Sequence, residues 1–419
     1  MSQVRVTTLA NGLRVATDTM PDVQTVSLGC WVGVGTRNEA PSVNGVAHLV
    51  EHMLFKGTKR RTAFRISEEI ENVGGQLNAY TTREHTAYYA KVLHEDAGLA
   101  LDIIADMLQH SLLDDGELAR ERTVVLQEIG QAADTPDDII FDHFQATAYP
   151  DQALGRPVLG AAEIVGKLPR SALVDYLGRH YSGPAIVLAA AGRIEHDAFV
   201  AMAEKAFAHL PNTTHPEPEA ARYRGGDFRE ERDLEQLHLV LGFDGVGIHD
   251  PDFYAHSVLS TLLGGGMSSR LFQEIREKRG LVYSIYTFTG GYRDGGLFGV
   301  YAGTGEGEVE ELVPVVCDEI VKVADGVSED ELARARAQMK AGTLMALEST
   351  MSRCEQLGQQ LLVYGRPIPV EEIVTRIEGV DAAAITAAAR RLRQCRPTVA
   401  ALGPVHRLEA YDRIAARLA

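Results

Sequence analysis

The sequence predicts an α+β protein made of two similar α/β sandwich-like domains related by internal duplication, and three observations carry that prediction. First, the stretch LPNTTHPEPEAARYRGGD near the midpoint is rich in Pro, Gly and polar residues and reads as a linker between halves of similar size. Second, each half opens on a strand-like run ending in a glycine pattern, SLGCWVGVGTRNE and HLVLGFDGVGIHD, about 210 positions apart. Third, strands and helices fall into blocks, which favours α+β over a doubly wound parallel sheet. The predicted division is 1–210, a linker at 211–226, and 227–419.

Taken in order, NGVAHLVEHMLF reads as a helix, AFRISEEIENVGG as an amphipathic helix and QLNAYTT as a strand. HEDAGLALDIIADMLQHS and DGELARERTVVLQEIGQAA carry apolar residues at helical spacing, and the uncharged run PAIVLAAAG suits a buried strand. Beyond the linker the order returns: the strand HLVLGFDGVGIHD, the helix DFYAHSVLSTLLGG, the amphipathic helix SRLFQEIREKRG and the strand LVYSIYTF. EVEELVPVVCDEIVKVA is a further helix. Residue by residue the halves match weakly, but the shared order makes a duplicated unit the economical reading.

Composition narrows the function classes. With 419 residues, 45% hydrophobic and 24% charged, the chain is an ordinary globular protein of more than one domain. No run approaches the roughly 20 apolar residues of a membrane span. The start, MSQVRVTTLANGLRV, has neither the apolar core of a secretory signal nor an Arg-rich transit pattern, so a cytoplasmic protein, or the mature form of an imported one, is expected. Cys30, Cys317, Cys354 and Cys395 are scattered without C-x-x-C pairing, which fits a reducing compartment and gives no thiolate metal site. A net charge of -17 argues against a phosphate-backbone partner, and it favours basic partners if the acid is concentrated in a cavity.

The chemistry concentrates in GVAHLVEHMLFKGT, residues 45–58. On a helix, His48, Glu51 and His52 project from nearly one face, because positions three and four apart are neighbours there. Two imidazoles at that spacing can share one zinc ion, with the carboxylate beside them to take a proton from the attacking water. The order H-x-x-E-H is the inverzincin signature. By composition the pattern arises by chance in about one chain in twenty or thirty of this size, so its flanks matter. Val46, Leu49, Val50, Met53 and Leu54 make the rest of the helix apolar, which leaves the histidines a functional purpose. A third ligand is required, and spacing alone does not choose among the many carboxylates.

The sequence resembles the pitrilysin family of inverted-motif zinc peptidases, and within it the branch of the mitochondrial processing peptidase β subunit and its bacterial relatives. The likeness covers nearly the whole chain and rests on HLVEH with MLFKGT, GGQLNAYTTREHTAYYAKV, ERTVVLQEI, FDHFQATAY with LGRPVLG, and GGGMSSRLFQEIREKRGLVYS. It implies one zinc ion per chain, held by His48, His52 and Glu128, with Glu51 as the general base. Glu121 matches a second acidic residue that orients a ligand histidine from behind. Asn78, Ala79 and Tyr80 match an edge strand on which an extended peptide pairs, and Phe55 matches an aromatic lining the pocket after the scissile bond, though it would serve equally as core. Arg276 and Tyr283 match residues of the second domain that reach the substrate, Tyr283 as a donor to the developing oxyanion. Asp138 and Asp142 match acids credited with a preference for arginine near the cleavage point. The second half has no H-x-x-E-H, and the long glycine-rich loop of the processing enzyme's α partner is represented only by the short LLGGGMSSRL, so presequence handling is not expected of it.

The resemblance thus implies a zinc metalloendopeptidase cutting extended, basic or presequence-like peptides in a chamber closed by a homodimer or by a heterodimer with a related subunit. A bacterial cytoplasm is preferred to a mitochondrial matrix. The alternatives are a non-catalytic scaffold subunit of the same fold and a peptide-binding dimer, neither of which uses zinc.

Overall fold

The computed structural model describes residues 3–214 and 216–419; Met1, Ser2 and His215, the last within the predicted linker, lie outside them. The chain forms two compact units, each built on one sheet.

The first unit comprises Met1–Gln131, Arg156–Glu219 and Met345–Ile368. Its strands are β1 (Gln3–Thr8), β2 (Arg14–Thr19), β3 (Thr25–Val32), β4 (Gln76–Thr81), β5 (Thr86–Leu93) and β6 (Ile186–Gly192). They lie in the order β1-β2-β6-β3-β5-β4, with β2 and β6 parallel and every other pair antiparallel. Strand β6 is the predicted buried run, with every residue out of solvent. Along β3, Val26, Leu28, Cys30 and Val32 face one core, shared with the helices Val46–Leu54, Ala97–His110 and Arg170–His180. Trp31 alternates to the other face, as period-two side chains must. There the helix Thr350–Tyr364 lies on the sheet, and Gly358 lets it approach: a Cβ at Gly358 would fall 2.4 Å from the Trp31 ring.

The second unit comprises Ala132–Gly155, Ala220–Leu344 and Pro369–Ala419. Its strands β7 (Gly226–Glu231), β8 (Leu237–Asp244), β9 (Val282–Gly291), β10 (Gly296–Thr304) and β11 (Thr398–Gly403) take the order β7-β11-β8-β10-β9, again with one parallel pair, β7 with β11. This is the first sheet's topology without β1, the expected outcome of duplication. One face carries Phe253–Gly264, Val309–Asp325 and Ala382–Arg393. The other is covered by Pro136–Ala148, whose Ile140 and Phe144 pack on Val240, Leu297 and Ala400. Here the glycine is on the sheet, since a Cβ at Gly242 would fall 2.3 Å from the Phe144 ring.

The compact units therefore differ from the contiguous division at 1–210 and 227–419: each sheet takes one covering helix from the other half of the sequence. A sheet with helices on one face leaves an apolar face that must be buried, and one exchanged helix per unit buries it. The described residues of the predicted linker before β7, 211–214 and 216–225, have no regular secondary structure. No helix among the described residues is long and apolar enough to cross a membrane.

Candidate metal centre

The helix Val46–Leu54 buries Val46, Ala47, Leu49, Val50, Met53 and Leu54 and leaves one polar stripe, His48, Glu51 and His52. Its start is fixed by an acceptor from outside the helix. Gly45, at the N-cap, has φ +97 and no side chain to cap with, and a Cβ there would fall 2.6 Å from Val165 and 3.0 Å from Gly160. The Glu39 carboxylate takes that role. One oxygen accepts from the Ala47 N–H at 2.8 Å, and the other from the Gly45 N–H at 2.9 Å and the Asn44 amide at 2.8 Å. Burial pushes the Glu39 carboxyl up to about 7, and its three donors only partly offset that.

The helix Asp115–Ala133 brings the second set of groups. Asp114 accepts from the N–H groups of Gly116 and Glu117 at its start. Leu118, Glu121 and Val125 form its buried stripe, and Glu128 continues that stripe one turn on. The Glu128 carboxylate oxygen lies 3.5 Å from His52 Nε2 and 3.8 Å from His48 Nε2, and the three ligand atoms lie within 4.8 Å of one another. Tetrahedral zinc with N and O ligands needs ligand separations of about 3.4 Å, so the three atoms fit one ion with a small inward movement. Burial, with His52 adding, pushes His48 down to about 4, so at neutral pH its imidazole is uncharged, the state a ligand must have. Behind His52, Nδ1 meets Glu121 at 3.1 Å; Glu121 is only 5% exposed, and its other oxygen accepts from Lys56 Nζ at 2.8 Å. The partner of Nδ1 fixes which ring nitrogen faces Glu128.

Glu51 stands beside this set without joining it. Its Oε2 accepts from the Thr81 hydroxyl at 2.5 Å. Burial raises the Glu51 carboxyl above its ordinary value, with Glu128 adding, while the Thr81 hydrogen bond and His52 oppose. Thr81 ends β4, the edge strand of the sheet, which also carries Asn78, Ala79 and Tyr80. Ala79 packs on the core beneath the metal helix, whereas the Tyr80 hydroxyl turns to the other face and donates to Glu355 at 2.9 Å. Thr81 and Lys56 are contacts that reading the sequence missed. Alternation along QLNAYTT, counted from Ala79, was the available signal for Thr81; for Lys56, four residues after His52, it was helical spacing. Phe55 follows the helix and packs half-buried against the core.

The remaining candidates lie in the second unit. The segment SRLFQEIREKRG, expected as a regular amphipathic helix, instead forms a π-helix at Phe272–Glu277, with the Lys278 N–H reaching Gln273 O. The Arg276 guanidinium lies 4.9 Å from the Phe272 ring centre and 5.4 Å from that of Tyr283, and Tyr283 is 76% exposed. Such widened turns cluster at functional positions. Asp138 is exposed in the first turn of Pro136–Ala148, and Asp142 sits one turn on, half-buried.

Residues 14–162 match the family model described as insulinase (peptidase family M16), and residues 167–339 match the peptidase M16 inactive domain. An uncharacterized zinc protease of Streptomyces coelicolor is 40% identical over 412 residues, covering 96% of this chain and 90% of that protein. A probable mitochondrial-processing peptidase subunit beta of Arabidopsis thaliana is 38% identical over 431 residues, covering 99% and 81%. The crystal structure of a peptidase M16 inactive domain from Pseudomonas fluorescens superposes with a TM-score of 0.89 at 22% identity, covering 96% and 98%, a likeness of fold.

Proposed function

The chain belongs to peptidase family M16, and from that premise we propose that it is a zinc-dependent endopeptidase acting on extended, basic peptides or presequence-like segments. The observation that carries the reading is the convergence of His48, His52 and Glu128 on one point with the Glu51 carboxylate beside it. The zinc-protease name of the Streptomyces relative supports the choice of metal. When bound, zinc supplies the Lewis acidity that makes water a nucleophile at neutral pH and polarises the scissile carbonyl. Glu51 accepts the proton of the attacking water, on Oε1 because Oε2 is held by Thr81, and hands it to the leaving amine. Glu121 holds the His52 ring in the orientation that leaves Nε2 for the metal.

In this reading the substrate pairs its backbone with the open edge of β4 at Asn78, Ala79 and Tyr80, which requires an extended segment and demands little of its sequence. Phe55 borders the pocket after the scissile bond. Arg276 and Tyr283 supply donors to the substrate from the second unit, and Asp138 and Asp142 supply charge that prefers arginine. Two copies, identical or related, enclose the chamber. A scaffold subunit would have no use for a complete ligand set with a base beside it. The test is metal analysis of the purified protein together with mass-spectrometric mapping of its cuts in a mixed set of unstructured basic peptides. One zinc per chain and discrete internal cuts are expected. Protein that stays inactive at full zinc loading overturns the reading.

A further inference from the structure

We infer that Thr81 is the residue that positions the Glu51 carboxylate for proton transfer, an assignment that rests on the zinc-peptidase reading above. A glutamate has three rotatable side-chain bonds, and the helix backbone alone does not choose among their settings. The Thr81 hydroxyl does so: at 2.5 Å it donates a short, charge-assisted hydrogen bond to Oε2.

Thr81 can impose that position because the strand end that carries it is anchored along its paired edge and in the turn that follows. Its backbone pairs with Thr86 at the last register position between β4 and β5, and the Thr86 hydroxyl is anchored to Val34 O at 3.1 Å. The turn beyond it is tied three ways. The Thr82 N–H donates to His85 O at 2.8 Å, the Thr82 hydroxyl donates to His85 O at 2.9 Å, and it accepts from the His85 N–H at 3.0 Å. On the opposite face the preceding residue is pinned as well, the Tyr80 hydroxyl donating to Glu355 at 2.9 Å and accepting from Gln359 at 3.3 Å. These bonds tie the end of the strand to its neighbours, and a group mounted on such a supported element is held in place by it. The same strand is the proposed dock for the substrate backbone, so one rigid element sets both the peptide and the base.

The test compares Thr81→Val, which keeps the shape and removes the donor, with Thr81→Ser, which keeps the donor. Thr81→Val should lower kcat about 10- to 100-fold while KM, zinc stoichiometry and Tm stay near wild type, and Thr81→Ser should retain kcat within about threefold. Crystal structures of both variants supply a readout apart from activity: the Glu51 carboxylate should move in the valine protein and stay in the serine protein. Three results overturn the assignment: kcat within twofold of wild type for Thr81→Val, an equal loss for Thr81→Ser, or an unmoved Glu51 in the valine structure. If the zinc-loaded wild type cuts nothing, the peptidase reading falls by itself, and the Glu51 position in the two crystal structures still decides the role of Thr81.

Discussion

Glu51 and Glu128 present the same functional group to the same cluster, and their substitution by glutamine should separate their roles. The Glu51 carboxylate accepts a hydrogen bond from Thr81 and is not among the three groups that converge, so Glu51→Gln should leave zinc in place. An amide keeps the volume but takes no proton, and turnover should fall by about 10²- to 10⁴-fold, the usual worth of a general base. Zinc content and peptide cleavage measured on one preparation check this; turnover near wild type would free Glu51 of the role. Glu128 is one of the three, 3.5 Å and 3.8 Å from the two imidazole nitrogens. A neutral amide oxygen is a poorer ligand than a carboxylate, so Glu128→Gln should lose zinc in dialysis against a mild chelator that leaves the wild type loaded. Unchanged stoichiometry after that dialysis would place the third ligand elsewhere.

The helix that carries His48, Glu51 and His52 depends on Glu39, and that dependence should be visible in the pH profile of stability. Burial raises the folded-state carboxyl from its ordinary 4.5 to about 7, so the folded protein binds this proton more tightly than the unfolded chain. The stabilising contribution is complete below about pH 4.5, declines as pH rises, and is gone above about pH 7. Its size is at most about 3 kcal/mol, from roughly 1.4 kcal/mol per pKa unit. Glu39→Gln does not titrate, so its urea midpoint should fall less than that of the wild type between pH 5 and pH 8. At pH 5 the two proteins should be of similar stability, because the protonated carboxyl and the amide each present a carbonyl acceptor and one donor-bearing group to the Ala47, Gly45 and Asn44 donors. Parallel profiles for the two proteins would show that Glu39 does not titrate in this range. The helix itself was legible in the sequence because its apolar positions and its H-x-x-E-H stripe follow one 3.6-residue period. Its cap was not, because the acceptor comes from Glu39, six residues before the N-cap glycine, and no local signature such as S-x-x-E marks it. The π-helix at Phe272–Glu277 was hidden for a related reason, since its one extra residue per turn leaves the apolar spacing of SRLFQEIREKRG looking helical.

At the scale of the whole molecule, the duplication was legible from repeated order, and the five strands of the second sheet repeat the topology of the first sheet without β1. The exchange of Thr350–Tyr364 and Pro136–Ala148 between sequence halves was not, because periodicity tells that a helix has an apolar face without telling which sheet receives it. The group that could hold a metal was half legible: the pairing of His48 with His52 follows from helical spacing, but Glu128 lies on a separate helix and was reached only through family likeness. The last prediction concerns the chain as a charged body. A net charge of -17 attracts cationic segments at long range, and an open β4 edge needs a substrate backbone free to pair. Short basic peptides should therefore be cut with a kcat/KM that falls as salt rises past about 0.1 M, where the screening length is about 10 Å, while a matched neutral peptide changes little. A stably folded domain carrying the same cleavable segment should resist, because its backbone hydrogen bonds are already made. The measurement is cleavage of all three substrates across one salt series on zinc-loaded protein. An equal salt response of the two peptides would remove charge as the source of preference, and efficient cutting of the folded domain would remove the enclosed, strand-pairing mode of binding.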